Sequence, residues 1–216
     1  MARDSNQSAF LNIPYDDRYK NLYFAFIAGL CAFGLKPRAA LEIADGERRL
    51  DRIFGLMTTC RYSFHDLSRV QLGRTAPRVP RFNMPFELGL LLGWQKTSKA
   101  RHTWVVFESV PRRLPKSLSD LDGTDPLIHN GTVRGVFREL SNALVKSVNK
   151  PELHHMNKIY RQIKTASPLI MSSAGSQSLF GARVFTRLVV LATEYAELTI
   201  PRDSPAPAAL SPAPSR

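Results

Sequence analysis

Glu87 stands at the head of the apolar run Leu88-Gly89-Leu90-Leu91-Leu92-Gly93-Trp94. A carboxylate set among hydrophobic side chains loses part of its hydration, which shifts its pKa toward the range useful for nucleophilic or acid/base work. The competing account is compensation of a helix dipole, worth at most about 1 kcal/mol for an exposed group in the first helical turn. The apolar surroundings favour the functional account. Further polar residues cluster at two other places: Asn12, Pro14, Tyr15 and Asp16 follow a short apolar segment, and Asp66 and Arg69 follow another. Asn83 and Phe86 lie immediately upstream of Glu87, and arginines stand at positions 69, 74, 78 and 81. Guanidinium groups bind phosphate bidentately, so that series suits a phosphorylated ligand.

These residues need elements to bring them together. Ala9 to Ile13 is a short apolar run halted by Pro14, which predicts a buried first strand. Tyr19, Leu22, Tyr23, Phe26, Ile27, Leu30 and Cys31 fall on one helical face, and Gly34 and Pro37 end that helix. Ala39 to Ile43 predicts a second strand, Leu50 to Met57 a helix and Tyr62 to Leu67 a third strand. Val70 to Pro85 reads as a loop, Phe86 to Trp94 as a helix and Thr103 to Phe107 as a fourth strand. Strands alternating with helices imply an α/β fold: a parallel sheet with right-handed crossovers and helices on both faces. In such sheets ligands gather at the carboxyl ends of the strands, where the polar residues named above fall.

Beyond the fourth strand the pattern changes. A polar stretch from Glu108 to Asn130 precedes three helical patterns, over Val133 to Val148, Leu153 to Ile163 and Leu179 to Tyr195, the last apolar nearly all round. We expect these additional C-terminal helices to cap the sheet or to form an oligomer contact. The division is therefore an α/β domain over 1–150, C-terminal helices over 151–200 and, from its Pro, Ala and Ser content, a disordered tail over 201–216. Gly89 and Gly93, four apart, are read as letting their helix approach the sheet.

At 216 residues, 44% hydrophobic and 22% charged, the chain can bury one sizeable core and has no apolar run long enough to cross a bilayer. The N-terminal residues lack the apolar stretch of a secretory signal, and Cys31 and Cys60 read as reduced core residues, so a cytoplasmic location without membrane association is expected. A net charge of +12 favours an anionic partner, either a phosphorylated small molecule or, on charge alone, nucleic acid. His154 and His155 point about 100° apart on a helix with no completing ligands, so no metal is expected. His65 and Asp66 alternate across a strand, so one of them should face the sheet's packed side and be hydrogen-bonded. Asp125, His129 and Asn130 suit a turn and helix cap better than a lid. Neither a P-loop nor a dinucleotide fingerprint occurs, which argues against ATP hydrolysis and nicotinamide redox chemistry.

The string Asn83-Met84-Pro85-Phe86-Glu87-Leu88-Gly89, after a strand ending in Asp66 and before Trp104-Val105-Val106-Phe107, resembles the nucleoside 2-deoxyribosyltransferase-like superfamily, which shares a flavodoxin-like core with TIR-type NAD hydrolases. The resemblance spans roughly Ala9 to Phe107, and its specific part is Phe-Glu-Leu-Gly. It implies that Glu87 is the nucleophile, or the carboxylate stabilising an oxocarbenium-like sugar, that Asp66 binds sugar hydroxyls or base, and that Tyr15 holds the ribose or stacks on the base. Asn12, Arg69, Arg78, Arg81, Asn83 and Phe86 complete the expected substrate-binding set. The segment Arg81-Phe82-Asn83-Met84-Pro85 differs from the Asp-Ser-Gly-Thr-type turn of the transferases, and with the arginines it favours a nucleotide over a bare nucleoside. The expectation is an N-glycosidase acting on a nucleotide, NAD the first choice as substrate and no cofactor required, with a bacterial defence role implied by the resemblance. The alternative is a non-catalytic nucleotide-binding module that assembles through its C-terminal helices.

Overall fold

The computed structural model describes residues 7–42, 49–69, 81–121 and 123–200. Five strands, β1 (Ser8–Asn12), β2 (Lys36–Ala39), β3 (Tyr62–Asp66), β4 (Thr103–Glu108) and β5 (Leu127–Ile128), form one sheet in the order β2-β1-β3-β4-β5. Every pairing is parallel. The seven α-helices of the described residues are α1 (Lys20–Ala32), α2 (Arg49–Thr59), α3 (Asn83–Thr97), the short α4 (Leu114–Ser117), α5 (Val133–Ala143), α6 (Leu153–Ser173) and α7 (Ala182–Thr199). This is the doubly wound, flavodoxin-like order, in which the chain reverses direction between β1 and β3.

Side-chain alternation divides the core. Ala9, Leu11, Phe64 and Phe107 face α1, α5, α6 and α7, whereas Phe10 packs with Ile53 and Met57 of α2 and Leu91 of α3. Leu67, Met84, Leu88, Val106 and Leu114 form a third cluster. Leu22 to Ala32 are buried without interruption, so α1 is enclosed on every side rather than on the single face its periodicity marks. The reason is the C-terminal helices: α6 and α7 pack against α1, and Met156, Ile159, Ile163, Val184, Phe185 and Leu188 join the same cluster as the sheet. They therefore lie mainly outside α1, in a core continuous with the sheet, and α7 also touches β2 and residues 40–42. A Cβ on Gly29 would meet Leu140 Cδ1, so glycine there sets how closely α1 and α5 approach.

Several boundaries differ from expectation. The second strand lies at Lys36–Ala39, followed by a 3-10 turn at Ala40–Glu42, because β2 is an edge strand and tolerates Pro37. The Ala39 N–H leaves the ladder to donate to Glu42 Oε1. The fifth strand is only two residues long and lies in the polar stretch from Glu108 to Asn130, where no strand is expected. Helix α3 begins at Asn83, not Phe86, because a proline within the first turn has no intrahelical N–H bond to lose. Gly89 and Gly93 do not abut the sheet: space is open around both, and they floor a shallow outer groove between Phe54, Phe86 and Trp94. No helix of the described residues is long and apolar enough to cross a membrane.

Candidate functional site

Two cavities open at the carboxyl edge of the sheet, one on each side of the reversal between β1 and β3. The first, of about 460 Å³, lies on the α2/α3 side. It takes Asn12 and Tyr15 from the end of β1, Arg49 and Leu50 from α2, and Arg81, Asn83, Phe86 and Glu87 from the start of α3. Six expected site residues thus share one cleft, and Glu87 supplies the one carboxylate among its lining residues.

Glu87 is 7% exposed. Because α3 starts at Asn83, Glu87 sits in the second turn, where the helix-end dipole has largely decayed. Compensation of that dipole is therefore not its role. Among the described residues its carboxylate has no hydrogen-bond partner, and burial pushes its pKa up to about 7 against a smaller opposing pull from Arg49. Arg49 was not singled out in the sequence; it is the first residue of α2. Tyr15 forms a wall rather than a free ligand: its hydroxyl donates to Leu11 O at 2.9 Å, and its ring packs on Tyr23 and on Phe180, just ahead of α7. Burial, then Tyr23 and Glu87, hold its phenol well above the ordinary tyrosine range. Phe86 is half exposed at the cleft mouth.

Asn12 has a structural duty. Its Nδ2 donates to Met84 O at 2.8 Å, latching the first turn of α3 to β1, and also to His65 Nδ1 at 2.9 Å. That donor fixes the ring proton of His65 on Nε2, which faces Ser63 Oγ at 2.9 Å. Ser63 in turn meets His102 Nε2 at 2.9 Å, and His102 Nδ1 meets Cys60 O at 2.8 Å. The chain is fully buried, and desolvation first, then His102, lowers the His65 pKa to about 3. Cys31 and Cys60 are free and buried, with burial pushing each thiol up to about 12.

Asp66 faces the opposite side of the sheet and does not line the Glu87 cleft. It is completely buried, accepting from Tyr19 Oη, from His129 Nε2 at 3.0 Å and from the Ser68 N–H at 2.7 Å. Burial pushes its pKa up, but His129, Ser68 and Tyr19 together outweigh that and hold it below the ordinary carboxylate value. The Gly131 N–H donates to His129 Nδ1 at 3.0 Å. Asp66 and Ser68 Oγ thus share the same ring nitrogen, whereas a serine-nucleophile triad needs them on opposite nitrogens. Asn130 and Gly131 adopt positive φ and Thr132 caps α5 through Gly135 N, so the turn expected near Asn130 is present, but its cap is Thr132. His129 and Tyr19 are partners that sequence reasoning missed, since adjacency in sequence gave no sign of either contact.

The second cavity, about 430 Å³, is bordered by Arg18, Tyr19, Asn21, Ser68, Arg69, Ser109, Arg113 and His129. Asp16 stands between the cavities, with its Oδ2 3.0 Å from Arg69 Nη2 and 3.2 Å from Arg81 Nη1. Arg69 thus belongs to the second cavity and Arg81 to the first. Arg78 lies outside the described residues. Comparisons with family models, with characterised proteins and with solved structures give no match.

Proposed function

We propose that the chain is an N-glycosidase that cleaves the ribosyl bond of a nucleotide in the Glu87 cleft, with NAD the preferred substrate. The observation that carries this reading is Glu87 itself: a nearly buried carboxylate without a hydrogen-bond partner among the described residues, in a cleft at the carboxyl ends of the strands. As an N-glycosidic bond breaks, positive charge grows on the anomeric carbon, and a desolvated carboxylate facing it stabilises that charge strongly. The lining offers no second carboxylate to protonate a departing base. Nicotinamide leaves a pyridinium nucleotide as a neutral molecule and needs no such proton, whereas a departing purine is helped by one, and this difference supports NAD. A cationic pyridinium ring would also draw Glu87 toward its ionised form. Arg81 and Arg49 offer charge for the phosphates. The two buried thiols fit action in the cytoplasm.

The test is release of base from NAD and from each common nucleotide, followed by chromatography. Wild type should release nicotinamide at a rate that rises with pH as Glu87 ionises near 7, and Glu87→Gln should lose at least about a hundredfold. Equal release by Glu87→Gln would refute the role. The second reading, a nucleotide-binding module, draws on the way Asn12 and Tyr15 are spent on internal bonds. It predicts binding without base release, and binding that Glu87→Gln leaves intact.

A further inference from the structure

The cavity on the α1/α5 side is built differently from the Glu87 cleft. Its border holds three arginines, Arg18, Arg69 and Arg113, and no carboxylate. Acids behind it hold two of these cations, Arg113 and Arg69. Glu108, fully buried, accepts from Arg113 Nε at 2.8 Å and also from Nη2, which reaches Ser68 O at 2.7 Å. This arrangement commits two of the three guanidinium nitrogens of Arg113 inward and leaves Nη1 without a partner among the described residues. Arg69 is held by Asp16 on one side. Arg18 uses its backbone N–H on Asp16 Oδ1, while its exposed guanidinium has no partner among the described residues. Asp66 likewise holds His129 at the border.

We propose that this cavity is a binding site for a phosphate group. Arg113, anchored by buried Glu108, and Arg69, held by partly buried Asp16, are preorganised for an arriving oxyanion, and exposed Arg18 adds a guanidinium that no acid neutralises among the described residues. The Ser68 hydroxyl, which faces His129 Nε2, adds a neutral partner. Asp16 couples the site to the cleft: an anion that takes Arg69 leaves the shared Oδ2 to Arg81 alone. The phosphate is carried either on an arm of the cleft substrate or on a separate phosphorylated molecule. The site itself does not depend on the Glu87 reading.

Inorganic phosphate titrated into the full chain at low ionic strength, followed calorimetrically, tests the proposal. Wild type and Glu87→Gln should bind one equivalent alike. Arg18→Gln should weaken binding about tenfold, and Arg18→Gln with Arg69→Gln should remove it. Arg18 touches nothing that holds the fold, so the single variant remains decisive even if the double variant melts early. Absence of saturable binding, or an unchanged Kd in folded Arg18→Gln, overturns the site. Titrating NAD into Glu87→Gln with and without saturating phosphate separates the sources: competition assigns the phosphate to a substrate arm, and independent binding to a separate molecule, both supporting the site. Failure of NAD to bind at all counts against the N-glycosidase reading and leaves the anion site to the phosphate titration.

Discussion

Replacing Glu87 by Gln should stabilise the fold, by an amount set by pH. Burial raises this carboxyl from 4.5 to about 7, so in the folded chain it prefers to hold its proton while in the unfolded chain it ionises freely. Below about pH 4.5 the carboxyl is neutral in both states and costs nothing. Between 4.5 and 7 the unfolded state releases the proton first, and stability falls as pH rises. Above 7 both states are ionised and the penalty is complete. At about 1.4 kcal/mol per pH unit, the 2.5 units between 4.5 and 7 amount to about 3 kcal/mol. Glutamine keeps the shape and carries no charge, so the stability difference between Glu87→Gln and wild type should grow from near zero at pH 4.5 to about 3 kcal/mol at pH 8. Urea unfolding of both proteins across that range measures it. A difference that stays flat with pH would mean that the carboxylate is solvated or fully neutralised by Arg49, and the argument for an activated Glu87 would fail with it.

Asn12→Ala should destabilise by about 1–3 kcal/mol in urea unfolding, since it strands buried His65 Nδ1 and removes the bond that ties the Met84 carbonyl to β1; a cost under about 0.5 kcal/mol would contradict the latch. A Cβ on Gly135 would collide with the His129 carbonyl, so Gly135→Ala should displace α5 and cost about 2–4 kcal/mol, seen as a fall in Tm. The Tyr23 hydroxyl is buried without a partner among the described residues, so Tyr23→Phe should raise stability by about 1 kcal/mol, and a loss of stability would reveal a partner. Phe185→Ala should cost about 3–5 kcal/mol and leave a single unfolding transition, because α7 shares its core with the sheet; a separate early transition would show the C-terminal helices to be independent.

The α/β alternation and the carboxyl-edge location of the site were legible because strand and helix periods differ and because polar residues fall where apolar runs stop. The withdrawal of Glu87 from water was legible from the apolar run that follows it, although its helix begins four residues earlier. What escaped was whatever depends on three-dimensional neighbours. The enclosure of α1 depends on helices more than 100 residues downstream, so its one visible face was only part of its buried surface. Two-residue β5 is too short to carry a period. Pro85 looked like a boundary because proline usually marks one, yet in a first turn it costs nothing. His129 and Tyr19 lie 63 and 47 residues from Asp66, and no local spacing links them.

Asp66 and Glu87 make the sharper physical point. Both are carboxylates near the same sheet edge, both are withdrawn from water, and desolvation pushes both pKa values upward. Their fates diverge because of partners. Asp66 collects a backbone N–H, an imidazole and a phenol, which together stabilise its charge beyond the cost of burial and lock it as a structural anchor beneath the arginine-lined cavity. Glu87 collects no hydrogen bond among the described residues and keeps the cost. Ionised Glu87 therefore carries a standing penalty in its cleft, offset in part by Arg49, which a bound cation would relieve further.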